Sequence, residues 1–532
     1  MKRTSQRGTL AVVLHAHLPW VLEEASLSPN SPISFEEAWL HEALWECYLP
    51  LAALLERVQS LREANPNVDG GERTPFLLLS LSPTLLAMLK SPVLDARFDL
   101  YVQGVRAQLA ERRKAGAYLS AVAAHEARLE SSYAYWQKNH RDLLAALLRL
   151  RDRGAIELGT TAATHGFLPG LLTAAGARAQ IRIGLRYFRE VTGRHASFFW
   201  LPECGYHPKL LPLLADSGAS STVLDTHALE LGEPRPQHGA LQPVFANEPF
   251  AFFGRHRELC SAVWSREVGY PGAAVYRDFH ARPSEATPFE LAFKPYAVTG
   301  QGVKVPYEAA VAEHHAARDA VDFLRKAALV LEASEAPRPI ATVAFDAELF
   351  GHWWWEGPQF LAALLEAAVR KDSAVGLDTP TSYLATDPQL ALSNPATSTW
   401  GRGGFSEVWS HPRVSHALRL VHRAERMMLQ VDALVRDRPR TETQRRARLL
   451  AIRDLFLLQS SDLLFMLRTG QSQRFATARV QTLAARLDTL FEVALRERES
   501  ASDGNAVAAL EPQISLFAEL EEDAFADTFD PF

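Results

Sequence analysis

The run Phe198-Phe199-Trp200-Leu201-Pro202-Glu203-Cys204-Gly205-Tyr206 is the stretch on which the reading of this chain turns. Its aromatic, apolar start reads as a buried strand that delivers one carboxylate, Glu203, at its end. A helical segment opens soon after, at His207-Pro208. Strand, strand-end carboxylate and helix form the unit by which an α/β barrel presents a catalytic group, because strand ends point into the site and the following loops wall it. Taken alone, the same pattern fits a Glu that caps a core strand. The rest of the chain decides between the two by supplying, or failing to supply, a partner for Glu203.

Outward from that stretch, short apolar runs at 9–14, 75–82, 155–159, 221–224 and 340–345 read as strands, with 375–377 and 383–384 closing the series. Helical segments alternate with them at 175–192, 208–216, 307–333 and 359–371. A further helix opens on the capping box Ser34-Phe35-Glu36-Glu37 and runs to 62, broken near Pro50. This alternation is the α/β-barrel signal. Residues 96–153 are helical without a strand signal and are expected to form an insertion beside the barrel, while 65–73 is a polar, Gly-rich loop. Between 233 and 287 Gly and Pro punctuate the chain, which reads there as functional loops. Amphipathic helices at 414–436, 441–467 and 475–498 point to a helical C-terminal domain. Beyond Arg498 there is no Lys or Arg and acids accumulate, so a disordered tail is expected, with 514–520 docking as a short helix. The expected division is a catalytic domain over 1–410 with its insertion at about 96–153, a helical domain over 411–500 and an acidic tail over 501–532.

Composition bounds the function. The chain has 532 residues, 47% hydrophobic and 22% charged, enough for a large barrel and smaller units. A net charge of -6 and the lack of a basic cluster with interleaved aromatics argue against nucleic acid as a partner. No apolar run reaches the length of a membrane span, and 9–14 is too short for a signal-peptide core. Cys47, Cys204 and Cys260 are too widely spaced for a disulfide framework or a cysteine zinc site, and a cytoplasmic location is expected. The 11 Trp and 27 Phe are a compositional hint, since flat apolar rings stack on sugar faces, although most of them are core aromatics.

Chemistry gathers at the strand ends. His15 and His17 share one face of an extended chain, as half of a metal site, as donors to a hydroxyl-rich substrate, or as structural histidines. The segment 160–166 is small and hydroxyl-bearing, which lets a substrate approach backbone. The run 340–345 ends at a second carboxylate, Asp346, followed by Trp353-Trp354-Trp355, of which at least one should be free for a ligand or another domain. A glycine-rich loop at 398–409 holds Trp400 and Trp409. Two strand-end carboxylates ringed by Trp and His suggest glycosidic-bond chemistry, in which one acts as nucleophile and the other is an acid held protonated, about 5–5.5 Å apart in a retaining enzyme.

The sequence resembles glycoside hydrolase family 57 and, within it, the 1,4-α-glucan branching group. Five regions carry the resemblance in order: His15-Ala16-His17-Leu18-Pro19, Gly159 to His165, Trp200-Leu201-Pro202-Glu203-Cys204, Ala344 to Trp354, and the Trp400 to Trp409 loop. The resemblance implies a (β/α)7 barrel with a helical insertion and an all-α C-terminal domain that closes the cleft. It implies Glu203 as nucleophile and Asp346 as general acid/base, substrate contacts at Arg255, Gly272, Trp400 and Asp462, His15, His17 and His165 around the attacked sugar, and Trp264 and Trp409 as stacking platforms. The implied substrate is an α-glucan such as amylose, glycogen or starch, and neither metal nor cofactor is required. The implied reaction cleaves an α-1,4 link and transfers the chain to a 6-hydroxyl. Two departures stand out. No Tyr lies between Tyr206 and Tyr270, where the group carries a long loop tipped by Tyr, and Leu463 stands where Trp is usual after Ser460-Ser461-Asp462. The loss of a lid favours water over an acceptor, which keeps an α-amylase-type hydrolase as the alternative. A metal-dependent, deacetylase-like hydrolase built on His15, His17 and Asp346, and a non-catalytic glycan-binding scaffold, are the remaining readings. The sequence sets neither oligomeric state nor chain-length preference.

Overall fold

The computed structural model describes residues 8–22, 28, 30–64, 74–265, 267–300, 302–386, 388–437, 440–511 and 516–517. The expectations for 65–73 and for most of 514–520 lie outside these residues. Among the described residues there are ten strands: β1 (Gly8–Ala16), β2 (Leu77–Leu81), β3 (Ile156–Thr161), β4 (Phe199–Trp200), β5 (Ser221–Leu224), β6 (Val244–Phe245), β7 (Ala251–Gly254), β8 (Ile340–Asp346), β9 (Val375–Asp378) and β10 (Ala391–Leu392). The middle of β1 is fully enclosed, with Leu10 to Leu14 at most 1% exposed. A parallel strand covered on both faces must be apolar throughout, which is why 9–14 reads as an unbroken run.

Seven strands close a ring. One sheet runs β4-β3-β2-β1-β8, all parallel, and β5 pairs parallel with β7 in a second sheet. Single parallel bridges join the two: Phe198 with Ser221 next to β4, and Arg255 with Thr342 between the end of β7 and β8. The result is a (β/α)7 barrel. β9 pairs with β1 over Gly8 to Ala11, below the stretch from Val13 to Ala16 that pairs with β2. β6, antiparallel to β7, and β10 lie outside the ring. Because the seven strands are parallel, their C-terminal ends open on one side and bring His15, Ser80, Thr160, Trp200, Asp225, Arg255 and Asp346 to one rim.

Three helices, Leu94–Ala115, Leu119–Lys138 and Leu143–Asp152, fill the insertion between β2 and β3. Ser34 caps the helix Phe35–Ala43 by accepting from the Glu37 N–H at 3.0 Å. That helix does not break at Pro50. It widens into a π-helical turn, Leu44–Tyr48, and continues as Leu49–Ala64. The helix Ala174–Thr192 lies directly on β3, and at Gly184 an added Cβ would stand 2.2 Å from the Thr161 carbonyl oxygen.

Four further sequence expectations are corrected. Residues 380–385 form a helix capped by Thr379, not a closing strand. The irregular stretch 233–287 contains β6, the barrel strand β7 and the helix Arg257–Trp264. The helix expected over 441–467 is two helices, Glu442–Leu458 and Ser461–Thr469. The expected disorder from 501 fails at Asp503–Leu510, which is helical, while Leu516 and Phe517, within the stretch expected to dock, are buried, the Phe517 ring lying edge-on to Tyr187.

Candidate active site

Glu203 sits in a one-turn helix, Pro202–Cys204, immediately after β4. Its backbone is left-handed (φ 63°, ψ 21°), as is that of Cys204 (φ 48°). Two consecutive non-glycine residues in that region cost about 1–3 kcal/mol each, and such strain persists only where surrounding contacts hold it. Here the Trp400 N–H donates to the Glu203 carbonyl at 2.9 Å, and the Cys204 N–H to that of Leu201 at 2.9 Å. The Glu203 side chain is 12% exposed. Its Oε2 accepts from Trp400 Nε1 at 2.7 Å and its Oε1 from Ser461 Oγ at 2.8 Å. Burial pushes its carboxyl up to about 7, against the pull of these two donors.

Asp346 ends β8 and stands in register with His15 on β1. Its environment is the opposite of that of Glu203. Among the described residues no side chain donates a hydrogen bond to it. Burial first, then the Glu348 and Glu203 carboxylates, push it well above the usual range, with Arg255 opposing. One carboxyl is therefore furnished to be an anion and the other to keep its proton, the division a double-displacement reaction needs.

The three expected histidines meet at this rim. His15 Nδ1 lies 3.2 Å from Ser80 Oγ and its Nε2 3.0 Å from His165 Nε2. His165 Nδ1 lies 2.8 Å from Ser461 Oγ. His17 Nε2 lies 2.9 Å from Asp462 Oδ2. The rings form one pile, with His17 on His165 at 4.0 Å and His15 on Trp200 at 4.8 Å. Burial holds His15 and His165 well below the usual histidine range. For His17 burial acts the same way but is outweighed by Asp462, Glu348 and Glu203, which raise it, and His17 in turn lowers Asp462. His17 and Asp462 form a charged pair beside two neutral imidazoles.

Among the described residues two groups have the spacing of a cation site. Donor atoms of His17, His165 and Asp462 lie within 4.8 Å of one another, but they are already engaged in the bonds just described. His15, His17 and Asp346, the set expected for a metal-dependent hydrolase, is not among the converging groups of the described residues. Glu42, Glu46 and His352 converge as well, yet Lys294 approaches both carboxylates at 3.6 Å and Arg277 approaches Glu46 at 3.7 Å, so protein cations already balance that charge.

The tryptophans sort by exposure. Trp264 is 42% exposed and stacks on Trp400 at 6.0 Å. Trp353 is 38% exposed and edge-on to Trp264, while Trp354 and Trp355 are buried, so one of the three adjacent rings is free as expected. Trp409 is corrected: at 2% exposed and packed on Phe167, it has no face for a sugar and instead supports the loop that carries Trp400. Arg255 is bonded to Asp225 at 2.8 Å and to the Ala344 carbonyl at 3.2 Å, with its guanidinium over the Trp400 ring. Gly272 closes the turn Tyr270–Gly272 and is not drawn into this network. Ser461, Glu348 and Asp225 belong to the site but were not anticipated. Asp225 carried the same signal as Glu203, an acid directly after a strand, and Glu348 follows Asp346 by two residues. Glu348 accepts from the His17 N–H at 3.0 Å and from the Tyr48 hydroxyl.

Comparison with known proteins places this geometry. Residues 11–391 match the model of glycosyl hydrolase family 57, and residues 420–525 match that of the 1,4-alpha-glucan branching enzyme C-terminal domain. A 1,4-alpha-glucan branching enzyme of Thermococcus kodakarensis is 27% identical over 89% of this chain and 72% of its own length. A Mycobacterium tuberculosis protein named "Probable 1,4-alpha-glucan branching enzyme" is 30% identical over 78% of this chain and 77% of its own. The crystal structure of a branching enzyme of this family from Pyrococcus horikoshii superposes with a TM-score of 0.86 at 27% identity, covering 98% of this chain and 97% of that one. This chain belongs to glycosyl hydrolase family 57.

Proposed function

We propose that the chain is a 1,4-alpha-glucan branching enzyme. It cleaves an α-1,4 link, holds the released chain on Glu203, and hands that chain to the 6-hydroxyl of another glucan. The observation that carries the chemistry is the unequal furnishing of the two carboxyls: two hydrogen-bond donors on Glu203 and none on Asp346 among the described residues. The Glu203 carboxylate attacks the anomeric carbon as Asp346 gives its proton to the departing glycosidic oxygen. The C–O bond breaks and a glycosyl ester forms. Asp346, now ionised, takes the proton of the incoming 6-hydroxyl as that oxygen displaces Glu203. Trp264, backed by Trp400, offers an exposed apolar face to the sugars, Trp400 meets the substrate beside Glu203, and His15, His17 and His165 wall the attacked unit. The C-terminal match, to a branching-enzyme domain, supports transfer to a hydroxyl as the second step.

The division near 411 between barrel and C-terminal helices is kept as part of this reading. No helix among the described residues is long and apolar enough to cross a membrane. Three buried free thiols support a reducing compartment, and a cytoplasmic location belongs to the same proposal.

Incubation with amylose followed by linkage analysis tests the reading. New α-1,6 links are expected. If only reducing ends accumulate, the enzyme is an amylase-type hydrolase, the outcome that the Tyr-less segment between Tyr206 and Tyr270 would favour. Full activity after exhaustive chelation is also expected, and its loss would bring back the metal-dependent reading.

A further inference from the structure

We propose that Ser461 is a positioning residue for Glu203, the last link of a one-directional hydrogen-bond chain that runs Ser80, His15, His165, Ser461, Glu203. The proposal rests on Glu203 being the nucleophile.

The direction follows from counting hydrogens. Trp400 Nε1 can only donate, so Glu203 Oε2 accepts. Ionised Glu203 accepts at Oε1 as well, so the single hydroxyl hydrogen of Ser461 points to it. Ser461 Oγ then has only lone pairs for His165, 2.8 Å away, and His165 Nδ1 must carry a hydrogen. His165 stacks at 4.0 Å on His17, which is paired with Asp462, and a second positive charge there is unfavourable. A neutral His165 with its hydrogen on Nδ1 has a bare Nε2. That atom faces His15 Nε2 at 3.0 Å, so His15 must donate from Nε2. The Nδ1 of His15 is then bare and accepts from the Ser80 hydroxyl at 3.2 Å. Every hydrogen in the chain has one place, and the whole chain is aimed at the carboxylate.

The arrangement is held from two distant parts of the sequence. His15, Ser80 and His165 come from the rim of the barrel. Ser461 opens the helix Ser461–Thr469, and its N–H donates to the His165 carbonyl at 3.0 Å. Gly166 and Ser460 form an antiparallel bridge beside it. Besides His165, whose Nδ1 lies 3.8 Å from Oε1, the ionisable groups that face Glu203 are His17 just past the end of β1, Asp346 from β8 and Asp462 from the helix Ser461–Thr469. None of them donates a hydrogen bond to it, which leaves Ser461 and Trp400 as its two donors among the described residues.

The consequence is kinetic. Charge leaves Glu203 as the glycosyl ester forms and returns as the ester breaks. A donor aimed at Oε1 interacts most strongly with the departing carboxylate, so it acts on the transition state of release more than on binding of glucan. A second consequence concerns His165. An Asn side chain places its amide nitrogen near the Nδ1 position of histidine, whereas Gln places it near Nε2. Only Asn can keep the bond to Ser461.

The test is steady-state cleavage of amylose by Ser461→Ala, Ser461→Thr, His165→Asn and His165→Gln, with Glu203→Gln as reference and thermal unfolding as the check on folding. Ser461→Ala is expected to lower kcat roughly 10- to 100-fold with KM within about twofold of wild type. Ser461→Thr is expected to restore most of the loss, and His165→Asn to retain at least about tenfold more kcat than His165→Gln. Wild-type kcat in Ser461→Ala, an effect confined to KM, a Thr variant as impaired as Ala, or His165→Gln equal to or better than His165→Asn would each overturn the chain. If Ser461→Ala does not fold, the Thr variant and the histidine pair decide. If Glu203→Gln stays active, the nucleophile assignment fails and the chain fails with it. If Glu203→Gln is inactive but Ser461→Ala is unimpaired, the nucleophile stands and only the role of Ser461 is lost.

Discussion

A carboxylate enclosed in a cleft ionises only where donors meet it, and Glu203 and Asp346 differ in just this respect. The difference sets the pH dependence. Glu203 must be ionised to attack, and its carboxyl is raised to about 7, so kcat/KM should rise with pH through about 7. Asp346 must keep its proton, and it too is raised by burial and by the Glu348 and Glu203 charges, so kcat/KM should fall on the alkaline side. The bell belongs to the pair. In Asp346→Asn no acid remains to titrate. Rates should fall by about 10²- to 10⁴-fold and the alkaline fall should vanish, while the acid rise stays. An acid limb at the ordinary glutamate value would show that burial does not control Glu203. At this scale the sequence was legible where residue type and position coincide: acids at strand ends, and His15 and His17 two apart on a strand. Ser461 was not. A serine carries no chemistry of its own in a sequence, and its partner Glu203 lies 258 positions away. Trp409 misled for the converse reason, since a Trp in a glycine-rich loop reads the same whether its ring faces substrate or Phe167.

Among the elements, the breaks inform more than the runs. Neither Pro nor Gly interrupts 441–467, and apolar residues resume directly after the polar run Gln459 to Asp462, so the sequence reads as a single helix. The structure interrupts it at Ser460, whose backbone is extended (φ -53°, ψ 130°) and bridges Gly166. Docking on the barrel loop outweighs helix propensity there, and the interruption delivers Ser461 and Asp462 to the site. β7 was hard to see for another reason. It is four residues long, lies in a stretch that Gly and Pro punctuate, and meets β8 through a single bridge, so no periodicity can build up. The helix Ala174–Thr192 was legible throughout, yet its closest contact rests on one missing atom. At Gly184 an added Cβ would meet the Thr161 carbonyl oxygen at 2.2 Å and the Ala163 nitrogen at 3.0 Å. Gly184→Ala cannot relieve this by a rotamer change, because both neighbours are backbone. It should destabilise the protein by about 1–3 kcal/mol or more, read as a lower midpoint in urea. It should also lower kcat, since the displaced backbone leads directly into His165. A midpoint raised by the better helix former would mean that the helix can slide off β3 freely.

For the molecule as a whole, the site is a joint between two parts of the chain rather than a property of the barrel. The barrel supplies Glu203, Asp346 and the histidines. The C-terminal helices supply Ser461 and Asp462, and Arg468 reaches back to Glu407 on the Trp-bearing loop at 2.6 Å. The joint is polar and buried. Gln180, fully buried, donates to Thr164 Oγ1 at 2.9 Å and to Gln459 Oε1 at 2.8 Å, and accepts from the Thr164 N–H at 3.1 Å. Thr164 Oγ1 donates in turn to the Phe456 carbonyl. Glu425, from the helix Ser415–Asp437, accepts from the Leu172 and Thr173 backbone and from the Thr173 hydroxyl. Such a network specifies one docking geometry, because any other leaves its buried groups unpaired. Gln180→Leu keeps the volume and removes the pairing. It should cost about 1–3 kcal/mol for each group left without a partner, measured by urea denaturation. It should also lower kcat more than KM, since Gln459 stands two residues before Ser461 and loses the bond that fixes it. Unchanged kcat with lowered stability would show that the interface only holds the domains together. A fall in both would show that the same polar contacts that dock the C-terminal helices also aim the donor at Glu203.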